Sequence, residues 1–228
     1  MLEPIMNTLK SQRIILASSS PRRKEILKQI GIDFDVIPSN YEENLNPHDF
    51  PSPSEFVIAT AVNKVEEVNN RLDKLCEKYD ILIGVDTIVH MNGKIYGKPK
   101  DEEEAYNFLK SFSNNCHSVY SGVCLKTRDK TLVFSEMTKV YFGDLNDDVI
   151  EAYVKSGDPM DKAGGYGIQV KGGSFIEKID GDYFNVVGLP LYSFYTYHFD
   201  NLKITFEKTL TFSMFNKNFL HLKSYRRK

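Results

Sequence analysis

The stretch Ile14-Ile15-Leu16-Ala17-Ser18-Ser19-Ser20-Pro21-Arg22-Arg23 passes from an apolar run into a helix start within a few residues, and its reading decides the fold. Residues 13–17 predict a short buried strand. Ser20 suits an N-cap, where a hydroxyl accepts from an orphan backbone N–H, and Pro21 suits the first helical turn, where a missing N–H loses nothing. The helix is expected from Arg22 to about Ile30, stopped by Gly31 as a left-handed C-cap. Phe34 to Pro38 predicts another strand, so the chain opens strand–helix–strand, the start of an α/β sheet. The helix N-terminus collects free N–H groups, serine hydroxyls and two guanidinium groups, a set that favours an oxygen-rich anion such as phosphate. A capped surface helix with solvated arginines would carry the same local sequence.

Composition limits the classes. With 41% hydrophobic and 12% aromatic residues among 228, the chain can bury a core without staples. A net charge of −2 gives no global field for nucleic acid or an anionic membrane, so any basic site is local. Cys76, Cys116 and Cys124 form no C-x-x-C pair, which argues against a disulfide framework or thiolate zinc site and fits a reducing compartment. No long apolar span or basic-then-apolar leader is visible, so a cytoplasmic location is expected.

Outward from the opening turn, Tyr41-Glu42-Glu43-Asn44 begins a polar loop whose glutamates are either solvated or ligands for a hard divalent cation. Ser52-Pro53-Ser54-Glu55 is a capping box ahead of a helix to about Leu72, with Val57, Ala61, Val65 and Val68 on its apolar face. Lys64 lies beside that face, free either to snorkel or to point into a cleft. Ile81 to Val89 predicts a central buried strand interrupted by Asp86, a carboxylate that is costly there unless paired, hydrogen-bonded, metal-bound or at the open end. Asn92-Gly93 predicts a hairpin returning through Ile95 and Tyr96 to Gly97-Lys98-Pro99, which could bring Lys98 back near Asp86.

Asp101 and Glu104 make a second capping box, with Ala105, Phe108, Leu109 and Phe112 facing inward. Strands are expected at His117 to Thr127 and Thr131 to Phe142, then a helix from Asn146 to Gly157. The glycine-rich residues 156–169 read as a loop or as a backbone shaped to approach a ligand, with the plain loop favoured. Strands at Ser174 to Ile179 and Tyr183 to Val187 and a helix from Leu191 to about Phe199 follow. Beyond it Phe212, Phe215, Phe219 and Leu222 mark a basic amphipathic tail.

Taken together, the Leu16-to-Arg23 turn, Gly84-Val85-Asp86-Thr87, Lys98-Pro99 and Asp161-Lys162-Ala163-Gly164-Gly165-Tyr166-Gly167-Ile168-Gln169 resemble, in order and spacing, the Maf family of nucleoside triphosphate pyrophosphatases, once described as septum-formation inhibitors. The resemblance covers residues 12–199, one domain, and leaves 200–228 as a tail. It implies an α/β fold similar to that of the inosine triphosphate pyrophosphatases, an elongated mixed β-sheet flanked by helices with a deep substrate cleft. By this resemblance Asp86 is the general base; Arg23, Lys64 and Lys98 meet the phosphates; and Ser18 lies in the same loop. Glu43 sits at an acidic position associated with the metal, magnesium or manganese, which Asp86 could also bind. Substrate choice falls on Arg22, Thr87 and Gln169, a combination that looks like the branch acting on dTTP and UTP rather than on 7-methyl-GTP. Val85 stands where Ala is commoner. The implied role is hydrolytic cleaning of the nucleotide pool, with a nucleoside triphosphate as the partner, no nucleic acid, and a homodimer as one assembly. The competing class is a nucleotide-binding regulator of division that lacks turnover, and a third is a nucleic-acid binder using the basic tail.

Overall fold

The computed structural model describes residues 9–196; the tail from residue 200 and the end of the last expected helix lie outside them. Strand β1 (Ile14–Leu16) is fully buried and hands over through residues 17–20 to helix α1 (Pro21–Gln29). Ser20 takes the N-cap position, but its hydroxyl makes no capping bond, contrary to expectation. Its N–H instead donates to Ser18 Oγ at 3.3 Å, which folds the serine loop on itself and leaves the first helical turn without a side-chain cap. At the other end Gly31 (φ 78°) closes the helix, with Gly31 N–H bonded to Lys28 O and Ile32 N–H to Leu27 O. Strand β2 (Asp35–Val36) is shorter than expected and exposed.

Helix α2 (Pro53–Lys74) starts as its capping box requires, the Glu55 N–H donating to Ser52 Oγ at 3.3 Å. Strand β3 (Ile81–Met91) turns at Asn92 and Gly93, both at positive φ (52° and 76°), into β4 (Lys94–Tyr96). Helix α3 (Glu102–Phe112), strands β5 (Cys116–Lys126) and β6 (Thr131–Phe142), helix α4 (Asp147–Lys155) and strand β7 (Ile176–Asp180) follow the expected order. Tyr183–Val187 is a short helix, α5, rather than the expected strand. Asp182 starts it by accepting from Phe184 N–H at 2.7 Å, and Gly181 at φ 126° turns the chain away from the ladder.

The sheet runs β2-β1-β3-β5-β6-β7 with β4 also on β3; β1 is parallel to β2 and β3, and the other pairs are antiparallel. Strand β5 covers one edge of β3 from Leu82 to His90, so β1 and β4 share the other edge. There β1 ends opposite Ile83 and β4 begins opposite Val89, leaving residues 84–88 bare on that side. The Ala17 N–H still reaches Ile83 O at 2.8 Å. Because main-chain groups alternate sides along a strand, those of Val85 and Thr87 face this gap, while the side chains of Asp86 and Thr87 leave opposite faces of the sheet beside it.

Helix α2 lies on the sheet at backbone contact. A Cβ on Gly122 would fall 2.4 Å from the Val57 carbonyl, and one on Gly84 would fall 2.4 Å from Val65 Cγ2. The same face carries Gly84 and Asp86, so this approach sets the height of Lys64 over the Asp86 carboxylate. The glycine-rich segment is packed rather than a plain loop. Gly164 is buried at φ 72°, its N–H donates to Gly97 O at 2.9 Å, and a Cβ there would meet Val89 Cγ2 at 2.7 Å. Tyr166, 5% exposed, supplies the apolar bulk that the glycines lack, in one cluster with Phe112 and Phe142.

Candidate active site

The gap in the β3 edge opens into a cleft of about 700 Å³, and every residue that the sequence singled out for this site lines it. Such a volume suits a small-molecule ligand. The serine loop and α1 form one wall, α2 and the Glu43 loop another, and the segment from Asp161 to Gln169 a third.

Arg23 reaches from α1 to the floor of the cleft. Its Nε donates to Gly188 O, Nη1 to Ser18 Oγ and Nη2 to Thr87 Oγ1, each at 2.9 Å. All three acceptors are neutral, and no carboxylate lies within ion-pair distance of this guanidinium among the described residues. Burial pushes its pKa down to about 10, with Arg22 adding to the fall and the charge of Asp86 partly offsetting it. A cation held this way is fixed in direction yet lacks a counter-charge, a standing attraction for an anion.

Asp86, 6% exposed, resolves the puzzle of a carboxylate in a buried strand: Lys64 Nζ donates to its Oδ1 at 2.7 Å. The same ammonium lies 2.7 Å from Glu43 Oε1, so Lys64 points into the cleft rather than snorkelling. Lys98, exposed at the cleft mouth, has no ion-pair or hydrogen-bond partner among the described residues, and neither does the side chain of half-buried Gln169. Thr87 Oγ1 also shares a hydrogen bond with Ser121 Oγ at 2.9 Å, which anchors it to β5.

Arg22 is engaged differently. Its Nη1 donates to Asp161 Oδ2 at 2.8 Å and its Nη2 to the Asp161 carbonyl at 3.0 Å, tying α1 to the glycine-rich segment. Lys162 Nζ holds the other carboxylate oxygen at 2.7 Å and the Asp158 carbonyl. Burial alone would raise the Asp161 carboxyl, but Lys162 and Arg22 together hold it below the usual range. The positions of Asp161 and Lys162 were visible in the sequence as charges in a glycine-rich stretch, without the partner that gives them a task. The Gly188 carbonyl under Arg23 has no sequence signal at all, since any residue supplies one.

Asp86 and Glu43 present hard oxygen donors to one point, and magnesium or manganese typically combines one or two such carboxylates with water and substrate phosphates, so the donor set fits. No group of three His, Cys, Asp or Glu side chains that could hold a metal alone occurs among the described residues. Fit therefore depends on oxygens brought by a ligand.

Fold and cleft together define an α/β protein whose split sheet edge opens into a cleft lined by the cationic side chains of Arg22, Arg23, Lys64, Lys98 and Lys162 and by one buried carboxylate, Asp86. Residues 13–198 match the family described as Maf-like protein, and the chain belongs to that family. It is 48% identical over 186 residues to the dTTP/UTP pyrophosphatase of Clostridium perfringens, covering 80% of this chain and 94% of that one. It is 44% identical over 179 residues to the dTTP/UTP pyrophosphatase of Thermosipho africanus, covering 78% and 88%. The "Probable bifunctional dTTP/UTP pyrophosphatase/methyltransferase protein" of Homo sapiens is 44% identical over 200 residues, covering 84% of this chain. The match spans only 32% of the length of that human protein. No helix among the described residues is long and apolar enough to cross a membrane.

Proposed function

We propose that this chain is a nucleoside triphosphate pyrophosphatase acting on dTTP and UTP, releasing the monophosphate and pyrophosphate. The observation that carries it is the half-buried guanidinium of Arg23, which has no carboxylate partner among the described residues, lining one cleft with Lys64, Lys98 and Asp86; the names of the bacterial relatives supply the substrate. The triphosphate lies with its phosphates against Arg23, Lys98, Lys64 and the Ser18 loop. These groups are in place before the reaction and stabilise charge as it builds on the phosphate oxygens. Asp86 orients the attacking water and takes its proton as the α–β anhydride bond breaks. Asp86 and Glu43 would hold a divalent cation, which when bound would supply a more acidic water and positive charge near the phosphates. Thr87 and Gln169 donate and accept, as a pyrimidine's carbonyl and N–H edge requires, and Arg22 completes the choice. The work is nucleotide-pool cleaning in a reducing, cytoplasmic setting that fits the free cysteines.

Asp86→Asn keeps the shape and removes the base. Pyrophosphate release from UTP with magnesium or manganese should fall by about 10²–10⁴-fold; release at wild-type rate would remove Asp86 from the mechanism. A panel of the ordinary triphosphates and 7-methyl-GTP tests the substrate, and preference for the methylated purine would overturn the pyrimidine assignment. Binding of nucleotide without any pyrophosphate release would favour the division-regulator class instead.

A further inference from the structure

We propose that Lys64 is a stand-in for the divalent cation in the free protein, so that nucleotide and metal bind as a cooperative pair; this rests on the site proposed above. Lys64 Nζ lies 2.7 Å from Asp86 Oδ1 and 2.7 Å from Glu43 Oε1. The two carboxylates that would hold the metal are thus the two that hold the ammonium. The Lys64 and Asp86 side chains are only 14% and 8% exposed, so their attraction is poorly screened by solvent or salt. A divalent cation on the same carboxylates would meet the ammonium as a like charge at short range. Metal entry therefore requires Lys64 to leave, and without an anion its only destination is water.

A triphosphate changes that balance, because its oxygens give the ammonium a new partner within the same cleft. Lys64 then moves from carboxylate to phosphate and the carboxylates become free for the metal. The Glu43 loop is held ready for this exchange. Asn63 Nδ2 donates to Tyr41 Oη at 3.0 Å, and Glu67 accepts from Ser39 Oγ at 3.0 Å and from Asn40 N–H at 2.8 Å, so α2 carries both Lys64 and the struts of the loop that faces it. By linkage, whatever factor the nucleotide adds to metal affinity the metal adds to nucleotide affinity.

The test measures free manganese by its paramagnetic resonance signal in the wild type, Lys64→Met and Lys64→Gln, each with and without the α,β-methylene analogue of UTP. Without nucleotide, both variants are expected to bind manganese about tenfold more tightly than the wild type. The analogue should tighten manganese binding about tenfold in the wild type and by clearly less in the variants. Equal or weaker manganese binding by Lys64→Met and Lys64→Gln overturns the proposal. The double variant Lys64→Met/Asp86→Asn separates the causes: if it binds manganese as tightly as Lys64→Met, the metal sits elsewhere and the proposal falls with the metal assignment. Pyrophosphate release from UTP by the wild type, measured alongside, tests the proposed activity independently of both.

Discussion

Arg23 is surrounded by a carbonyl and two hydroxyls that direct its fork without neutralising it. A lysine could keep the charge but not these three bonds, because its three donors radiate from one nitrogen whereas the acceptors here are met by three separate nitrogens of a planar fork. Arg23→Lys is accordingly expected to weaken binding of the UTP analogue by about tenfold or more, read by calorimetry. His117 tests a different residue-scale effect. It is 2% exposed, its Nε2 pairs with Tyr166 Oη at 2.7 Å, and burial pushes its pKa down to about 3. Below pH 6.5 the unfolded chain takes up a proton here that the folded chain refuses, so this contribution is intact above pH 6.5 and lost as pH falls towards 3. The loss approaches about 1.4 kcal/mol per pH unit inside that window. Stability of the wild type between pH 6.5 and 4 should therefore fall more steeply than that of His117→Gln in urea titrations, and parallel curves would refute the assignment. Asp86 was legible as an anomaly, since a carboxylate in an apolar run demands a partner. The acid sensitivity of His117 was not, because it depends on burial that only the folded chain creates.

Among the elements, α2 carries the most consequence. Its start was readable from Ser52 and Glu55, and its buried face from Val57, Ala61, Val65 and Val68, all at 0% exposure. What the pattern could not convey is how closely it lies on the sheet, which is set by glycines on strands distant in sequence. Gly122→Ala would drive a methyl group against the Val57 carbonyl, which as backbone cannot swing aside. We expect a loss of roughly 1–3 kcal/mol in denaturant unfolding, with nucleotide affinity reduced because Lys64 moves with the helix. Helix α5 shows the opposite case. Tyr183-Phe184-Asn185-Val186-Val187 has strand-like composition, and tertiary context overrides it. Asn185, fully buried, donates to the Val119 carbonyl and to Thr138 Oγ1, bonds that a ladder strand at this place would not make.

For the whole molecule, the charged residues of the cleft were legible one by one, while their common location was not. It arises because β1 stops and β4 starts at different points along β3, a property of strand pairing rather than of any single segment. The packing of the glycine-rich segment is hidden from the sequence for the same reason: its glycines cannot make a core alone, but they let the backbone fit against Val89 and Ala105. Across this assembly Arg22 and Asp161, 139 residues apart, join two walls. With Asp161 half in solvent, the pair is expected to contribute only about 0.5–1 kcal/mol to stability. A double-mutant cycle of Arg22→Ala and Asp161→Ala should return a coupling of that size, and the Asp161→Ala change alone should narrow the preference for UTP over other triphosphates.

The opening at residues 84–88 bears on association as well as on chemistry. A bare strand edge ordinarily invites a foreign strand to pair with it. Here the invitation is cut short at both ends, since β1 occupies the edge up to Ile83 and β4 resumes it at Val89. A polypeptide laid alongside would collide with one neighbour or the other before it could form a ladder. A compact solute fits between them, so the sheet screens its visitors by length before any side chain inspects them.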